Sequence, residues 1–287
     1  MSKRSTILNK QNVDTLAIGS FDGLHMGHRQ LIKRLGDNGA LFVIDKDQAN
    51  LTPGIKRSLY AGYPCMFYHF LKVKHLSGAD FVALLQKEFP NLQKILVGYD
   101  FCFGNQRSCT AEDLKVLFSG EVEVVEAFIY QGIAVHSSVI RAYLVEGKIE
   151  EANRFLGREY SMSGTIVQGQ GLGKKELVPT LNLSIKEYLI PKEGVYATRT
   201  KIGHHFYNSV SFIGKRVSTD NAFSIETHIL GEVLDVSDEQ IELFFVHYIR
   251  ENRHFESLSL LKAQIENDIL EAQDSLETCH LYRMDFL

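Results

Sequence analysis

The sequence predicts an α/β half built on a parallel sheet, followed by a smaller antiparallel β half with a helical tail. Three observations carry this. From Val13 to Ile129, short apolar runs alternate with helical patterns, as expected for strands joined by crossover helices. After Gly157 the chain turns to short segments rich in β-branched and aromatic residues, punctuated by Gly, Asn, Asp and Lys. From Phe255 onward, Phe255, Leu258, Leu261, Ile265 and Ile269 recur at spacings of three and four, a helical stripe.

Taken in order, Val13 to Gly19 reads as a buried strand and Arg29 to Leu35 as a helix with Leu31, Ile32 and Leu35 on one face. Leu41 to Ile44, Lys94 to Val97 and Val122 to Ile129 read as the second, third and fourth strands. Two helices follow, Ser137 to Val145 and Ile149 to Leu156, stopped by Gly147 and Gly157; glycine just past the last apolar residue is the usual helix stop. Segments 160–168, 180–185, 194–201, 205–213, 223–230 and 241–249 then read as strands of an antiparallel barrel or sandwich. The domain boundary is placed at 158/159.

At 287 residues, with 45% hydrophobic and 23% charged residues, the chain suits two modest domains or one large one, with a core that needs no disulfides. A net charge of −4 gives no basic excess of the kind nucleic-acid binders carry. The four cysteines, Cys65, Cys102, Cys109 and Cys279, form no C-x-x-C pair, so free thiols in a reducing cytosol are expected. No signal peptide and no run of roughly 18–20 apolar residues is visible. The expectation is a cytoplasmic protein whose partners are small molecules, neither nucleic acid nor membrane.

The stretch from Gly19 to His28, Gly-Ser-Phe-Asp-Gly-Leu-His-Met-Gly-His, lies between the first strand and the first helix. Ligands of open α/β sheets bind at the carboxyl ends of the strands. A helix amino terminus there suits phosphate, Gly27 permits close backbone approach, and His25 and His28 can donate to phosphate oxygens. Two histidines three apart are often only solvated side chains; the flanking glycines and the strand-to-helix position favour a site. Two further segments matter: Gly98-Tyr99-Asp100-Phe101-Cys102-Phe103-Gly104, and Val135-His136-Ser137-Ser138-Val139-Ile140-Arg141. Alone, each has a structural reading, with phenylalanines in a core and Ser137 as a cap.

In the second half, Thr180 and Asn182 of Pro179-Thr180-Leu181-Asn182 share one strand face. Paired oxygens suit a hard cation, although an ordinary amphipathic strand has the same spacing. Gly169-Gln170-Gly171-Leu172-Gly173-Lys174 reads as a flexible phosphate flap or a plain hairpin turn.

Together these motifs resemble the bifunctional bacterial riboflavin kinase/FAD synthetases over nearly the whole chain. H-x-G-H is similar to the nucleotidyltransferase pattern. The other amino-terminal segments resemble G-x-D-F-x-F-G and I-S-S-T-x-I-R, with Ser138 in place of threonine. Pro179 to Asn182 resembles P-T-A-N, Pro191 to Ala197 resembles P-x-x-G-V-Y-A, and Phe223 to Leu230 matches the strand around the family's catalytic glutamate. The resemblance implies a Rossmann-like FMN adenylyltransferase domain over 1–158. It implies a β-barrel riboflavin kinase domain with a carboxyl-terminal helix over 159–287. Riboflavin, FMN and FAD would be substrates and products, with ATP as co-substrate and Mg²⁺ as cofactor. By the same resemblance, His25, His28 and Glu226 are catalytic, and Thr180 and Asn182 hold the metal. Gly19, Phe21, Asp22, Gly23, Gly27, Ser137, Ser138, Arg141, Gly171, Gly173 and Lys174 would bind ATP or phosphate, and Asp100 and Phe101 would shape a flavin or nucleotide pocket. The chain departs from the family at Val43 to Asn50, where a Thr-Phe-x-Pro-type segment is usual, at Leu177-Val178 and at Phe212. A flavin-binding regulator with a decayed kinase half, and a nucleotidyltransferase for another phosphorylated acceptor, are the alternatives.

Overall fold

The computed structural model describes residues 8–47, 49–167, 178–218, 220–232 and 240–278. They form two compact units, one running to Ser137 and the other starting at Ser138.

The first unit holds strands β1 (Thr15–Gly19), β2 (Gly39–Asp45), β3 (Cys65–His69), β4 (Lys94–Gly98) and β5 (Glu121–Val125), with helices α1 (Met26–Ile32), α2 (Lys56–Ala61), α3 (Gly78–Glu88) and α4 (Ala111–Leu117). The strands are all parallel, in the order β3-β2-β1-β4-β5. The chain winds outward from β1 in one direction, then crosses back to β4. That reversal opens a crevice at the carboxyl ends of β1 and β4, the usual ligand position in such sheets. Successive side chains of the central strands serve opposite faces. Leu16, Ile18, Phe42, Ile95 and Val97 pack with Phe81, Leu85 and Phe89 of the α3 region, while Ala17, Leu41, Val43 and Leu96 pack with Phe21, Leu31 and Leu35. Burial on both faces explains why these strands read as continuous apolar runs.

Sequence reading passed over β3, α2, α3 and α4, so its third strand is the fourth. The strand β3 is an edge strand of mixed burial and carries no alternation to read. The two longer helices did carry signals. Ser77 Oγ accepts from Asp80 N at 3.1 Å at the start of α3, and Thr110 with Asp113 forms a capping box on α4.

The second unit contains most of α5 (Ser137–Glu146), then α6 (Ile149–Leu156) and six antiparallel strands: β6 (Tyr160–Val167), β7 (Leu181–Ile185), β8 (Gly194–Ile202), β9 (His205–Lys215), β10 (Phe223–Ile229) and β11 (Gln240–Arg250). They close into a barrel in the order β6-β7-β10-β9-β8-β11, which resolves barrel against sandwich. Gly147 and Gly157 adopt the left-handed conformation expected of helix stops, with φ of 80° and 69°. The helix α6 is tied to the barrel: Asn153 Nδ2 donates to the Phe245 carbonyl at 2.8 Å, and Asn153 Oδ1 accepts from Tyr160 N at 2.7 Å. The helix α7 (Leu258–Thr278) packs on β8, β9 and β11.

The barrel interior is not purely apolar. Beside Tyr160, Tyr196, Leu243 and Phe245, it buries Thr198, Thr200, Ser209, Ser211 and Thr227 completely. Thr198 Oγ1 lies 2.8 Å from both Ser209 Oγ and Ser211 Oγ, Thr200 Oγ1 lies 2.8 Å from Ser209 Oγ, and Ser211 Oγ donates to Thr227 Oγ1 at 2.9 Å. Every one of these hydroxyls lies within hydrogen-bond distance of another, so the group supplies its own polar partners. Among the described residues, no helix is long and apolar enough to cross a membrane.

Candidate functional sites

In the first unit the site grows from the loop after β1. Phe21 and Leu24 take left-handed conformations, with φ of 54° and 43°, and both are buried. Strain of this kind in non-glycine residues persists where the surroundings enforce it. The Asp22 carboxylate accepts from the backbone N–H of Asn50, Leu51 and Thr52, at 2.9 Å for Thr52. Ser137 Oγ donates to the Asp22 carbonyl at 2.8 Å. Asp22 is thus the knot joining three loops, and its carboxylate is committed to segment 50–52. Although 43–50 lacks proline, Thr52-Pro53 follows directly, with Leu51 and Thr52 buried.

His25 caps α1, its Nδ1 accepting from His28 N at 3.3 Å. The two imidazoles stack with centroids 3.7 Å apart, and Phe21 covers His28 at 5.2 Å. Burial in this stack, with a smaller contribution from nearby His136, pushes the His28 pKa down to about 3. His28 is therefore neutral at physiological pH, and its buried Nδ1 has no hydrogen-bond partner among the described residues. Space favours glycine at position 27: on Gly27 a β-carbon would stand a tight 3.2 Å from the His25 ring and 3.2 Å from the Val135 carbonyl oxygen. Gly19 similarly faces the Phe21 ring at 3.3 Å, and Gly23 holds a φ of 83°.

Across the crevice, Asp100 is exposed at the end of β4, while Phe101 stacks on Phe103 at 5.6 Å and packs against the core. Tyr99 Oη meets His136 Nε2 at 3.0 Å. Ser138 is exposed and Arg141 half-buried on α5, within the unit that begins at Ser138.

Sequence reading missed Arg57. It is 1% exposed and donates to Asp45 Oδ2 at 2.8 Å and to the Ser20 carbonyl at 3.2 Å. It fastens the carboxyl ends of β1 and β2 together. A single arginine in a polar stretch gives no sequence signal for such burial.

In the second unit, a cavity of about 190 Å³ opens between the outer barrel wall and α7. Thr180, Asn182 and Glu226 all line it. Asn182 and Glu226 are direct partners across β7 and β10, and Thr180 Oγ1 stands 3.5 Å from Glu226 Oε2. His228 Nδ1 meets the Pro179 carbonyl at 2.8 Å, fixing the entry to β7. Arg216 Nη1 lies 3.5 Å from Glu226 Oε1 and pairs with Asp220 through two bonds of 3.0 and 2.8 Å. Arg250 grips buried Asp268 of α7 through bonds of 2.8 and 2.7 Å.

Much of the remaining wall is apolar, with Val195, Val210, Phe212, Leu261, Ile265 and Ile269, while Ser218, Asn252 and Arg253 add polar groups. The helical stripe that announced α7 is one side of this cavity. The departures at Val178 and Phe212 also line it. Sequence reading missed Arg216, Arg250 and Asp268, because charges in loops and on helices read as solvated. Gly171, Gly173, Lys174 and Leu177 lie outside the described residues.

The oxygens of Thr180, Asn182 and Glu226 form a hard donor set with one carboxylate. Among the described residues no cluster of three His, Cys, Asp or Glu side chains is placed to hold a metal. Within this set Thr180 and Asn182 fit Mg²⁺ arriving with nucleotide phosphates, because that ion takes few protein ligands and keeps the rest from substrate and water, and the Glu226 carboxylate stands beside them.

Residues 156–276 match the family described as Flavokinase, riboflavin kinase. The chain is 27% identical to a bifunctional riboflavin kinase/FMN adenylyltransferase of Listeria monocytogenes, over 88% of this chain and 89% of the relative. The protein of the same name from Escherichia coli strain K12 is 28% identical over 90% and 91%. One from Buchnera aphidicola of Acyrthosiphon pisum is 28% identical over 93% and 94%. The fold matches a solved chain described as a macrolide-efflux protein from Streptococcus pneumoniae, with a TM-score of 0.84, 24% identity, and 95% and 97% coverage.

Proposed function

We infer that this chain, a member of the bifunctional riboflavin kinase/FMN adenylyltransferases, phosphorylates riboflavin to FMN and adenylates FMN to FAD, using ATP in both steps. Residues 1–158 serve the adenylyl transfer and 159–287 the kinase. The observation that carries the reading is the convergence of Thr180, Asn182 and Glu226 on one cavity, inside the stretch matching riboflavin kinase.

In the barrel unit, the terminal ribityl hydroxyl attacks the γ-phosphorus of ATP, and ADP leaves. An alcohol is a weak nucleophile, so its proton must pass to a base. Glu226 is that base, with the Arg216 guanidinium 3.5 Å from its carboxylate. Thr180 and Asn182 hold Mg²⁺, which supplies charge neutralisation for the transferring phosphate. The apolar wall of Val195, Val210 and Phe212 suits the flat flavin ring.

In the parallel-sheet unit, a phosphate oxygen of FMN attacks the α-phosphorus of ATP, and pyrophosphate leaves. This nucleophile is already anionic, so no base is needed; positioning and charge stabilisation remain. His25 and His28 serve as donors to the phosphates, Gly27 gives them room, and Ser137, Ser138 and Arg141 hold further phosphate oxygens. Asp100 and Phe101 border the nucleotide or flavin pocket.

The test is a chromatographic product assay with riboflavin, ATP and Mg²⁺, repeated with FMN in place of riboflavin. FAD from both mixtures, with FMN as intermediate in the first, is the expected result. FAD from FMN alone would mean a decayed kinase half, and no flavin product from either would sink the reading.

A further inference from the structure

We propose that His136 is a third imidazole of the amino-terminal site and binds the ATP phosphates directly. The proposal rests on reading that site as the adenylyl-transfer centre.

His136 stands where the I-S-S-T-x-I-R pattern has its first serine. It follows Val135, whose carbonyl oxygen closes on Gly27, so it enters the crevice beside the His25–His28 stack. It lies near enough to His28 to contribute to the lowering of that residue's pKa. Tyr99 reaches it from the end of β4, on the far side of the crossover, and its Oη lies 3.0 Å from His136 Nε2. The imidazole is thus tethered at one nitrogen by a residue from a different element.

When the phenol donates to Nε2, the neutral ring carries its proton on Nδ1. In that arrangement, the one in which His136 can serve a phosphate, the ring presents an Nδ1–H donor while Nε2 stays held by Tyr99. The same corner holds the buried His28 Nδ1, which lacks a partner among the described residues. Buried polar atoms of this kind call for a ligand or a water to complete them. A polyphosphate offers acceptors to donors from both sides of the crossover. An imidazole also reaches farther from the backbone than a serine hydroxyl.

The test uses the full chain, with FAD formation from FMN measured against ATP concentration. His136→Ala should raise the KM for ATP about ten- to a hundredfold, the usual cost of a hydrogen bond to a charged group, with kcat changed less and the melting transition unmoved. His136→Asn, whose amide nitrogen stands near the position of Nδ1, should recover much of that loss. His136→Gln, which mimics Nε2, should not. Tyr99→Phe should raise the same KM about threefold. An unchanged KM in His136→Ala, or rescue by Gln rather than Asn, would overturn the proposal and leave His136 a structural partner of Tyr99. If the unaltered chain makes no FAD from FMN, the adenylyl-transfer reading itself fails.

Discussion

The two sites approach the same co-substrate with different side chains. The crevice at β1 and β4 offers stacked, desolvated imidazoles, one of them held neutral. The barrel cavity offers a carboxylate with Arg216 close by and a threonine and an asparagine beside it. The attacking group accounts for the contrast. A phosphate arrives already ionised and asks only for donors that steady it; a hydroxyl must lose a proton, so a carboxylate has to stand within reach. Ionisation of the nucleophile, more than the ATP they share, separates the two designs.

The sharpest way to break this comparison is to exchange roles. Glu226→Gln should lower riboflavin phosphorylation roughly a hundred- to ten-thousandfold while FAD formation from FMN persists; equal losses in both assays would refute a base confined to the barrel. His28→Ala should lower FMN adenylation about a hundred- to thousandfold, the scale of one lost transition-state donor. Riboflavin phosphorylation is the control and should hold.

The units also differ in their polar interiors. Thr198→Val would take one hydroxyl partner from each of Ser209 and Ser211 in the barrel, at a cost of about 1–3 kcal/mol, seen as a lower melting temperature with the barrel strands exchanging hydrogen faster than β1.

The gentlest probe is pH. His28 has a folded value of about 3 against 6.5. Below pH 6.5 the unfolded chain takes a proton that the folded chain refuses, so this contribution is whole above 6.5 and drains away toward pH 3. His247 behaves oppositely. Its bond with Glu150 raises its pKa, so its contribution is whole below 6.5 and is lost as pH climbs through the raised value. For Glu150, burial works against the carboxylate, but His247 prevails and the pKa falls. Denaturant midpoints against pH should show His28→Asn flattening the acid limb and His247→Asn the alkaline one.

Much of this was legible beforehand, for physical reasons. Strands buried on both faces read as apolar runs, and α7 announced itself by its stripe. Loop glycines and the H-x-G-H run marked the crevice, because close approach and left-handed backbone restrict residue choice. What stayed hidden depends on distant partners. Thr198 and Thr200 alternate with Arg199 and Lys201, so local pattern alone does not say which polar set faces inward. Arg57 looks solvated until Asp45 and the Ser20 carbonyl are brought to it. The edge strand β3 has no periodicity to betray it.

Closure of the barrel has a consequence for how this chain would misassemble. With β11 returning to β6, those six strands have no unpaired margin to template another molecule. The parallel sheet has two. One, β5, is guarded by Glu121 and Glu123, which pair with Lys94 and Arg34. The other, β3, runs Cys-Met-Phe-Tyr-His with Phe67 exposed. Self-association of damaged or half-folded chains would therefore begin at β3, and a lysine in place of Phe67 is the simplest gatekeeper against it.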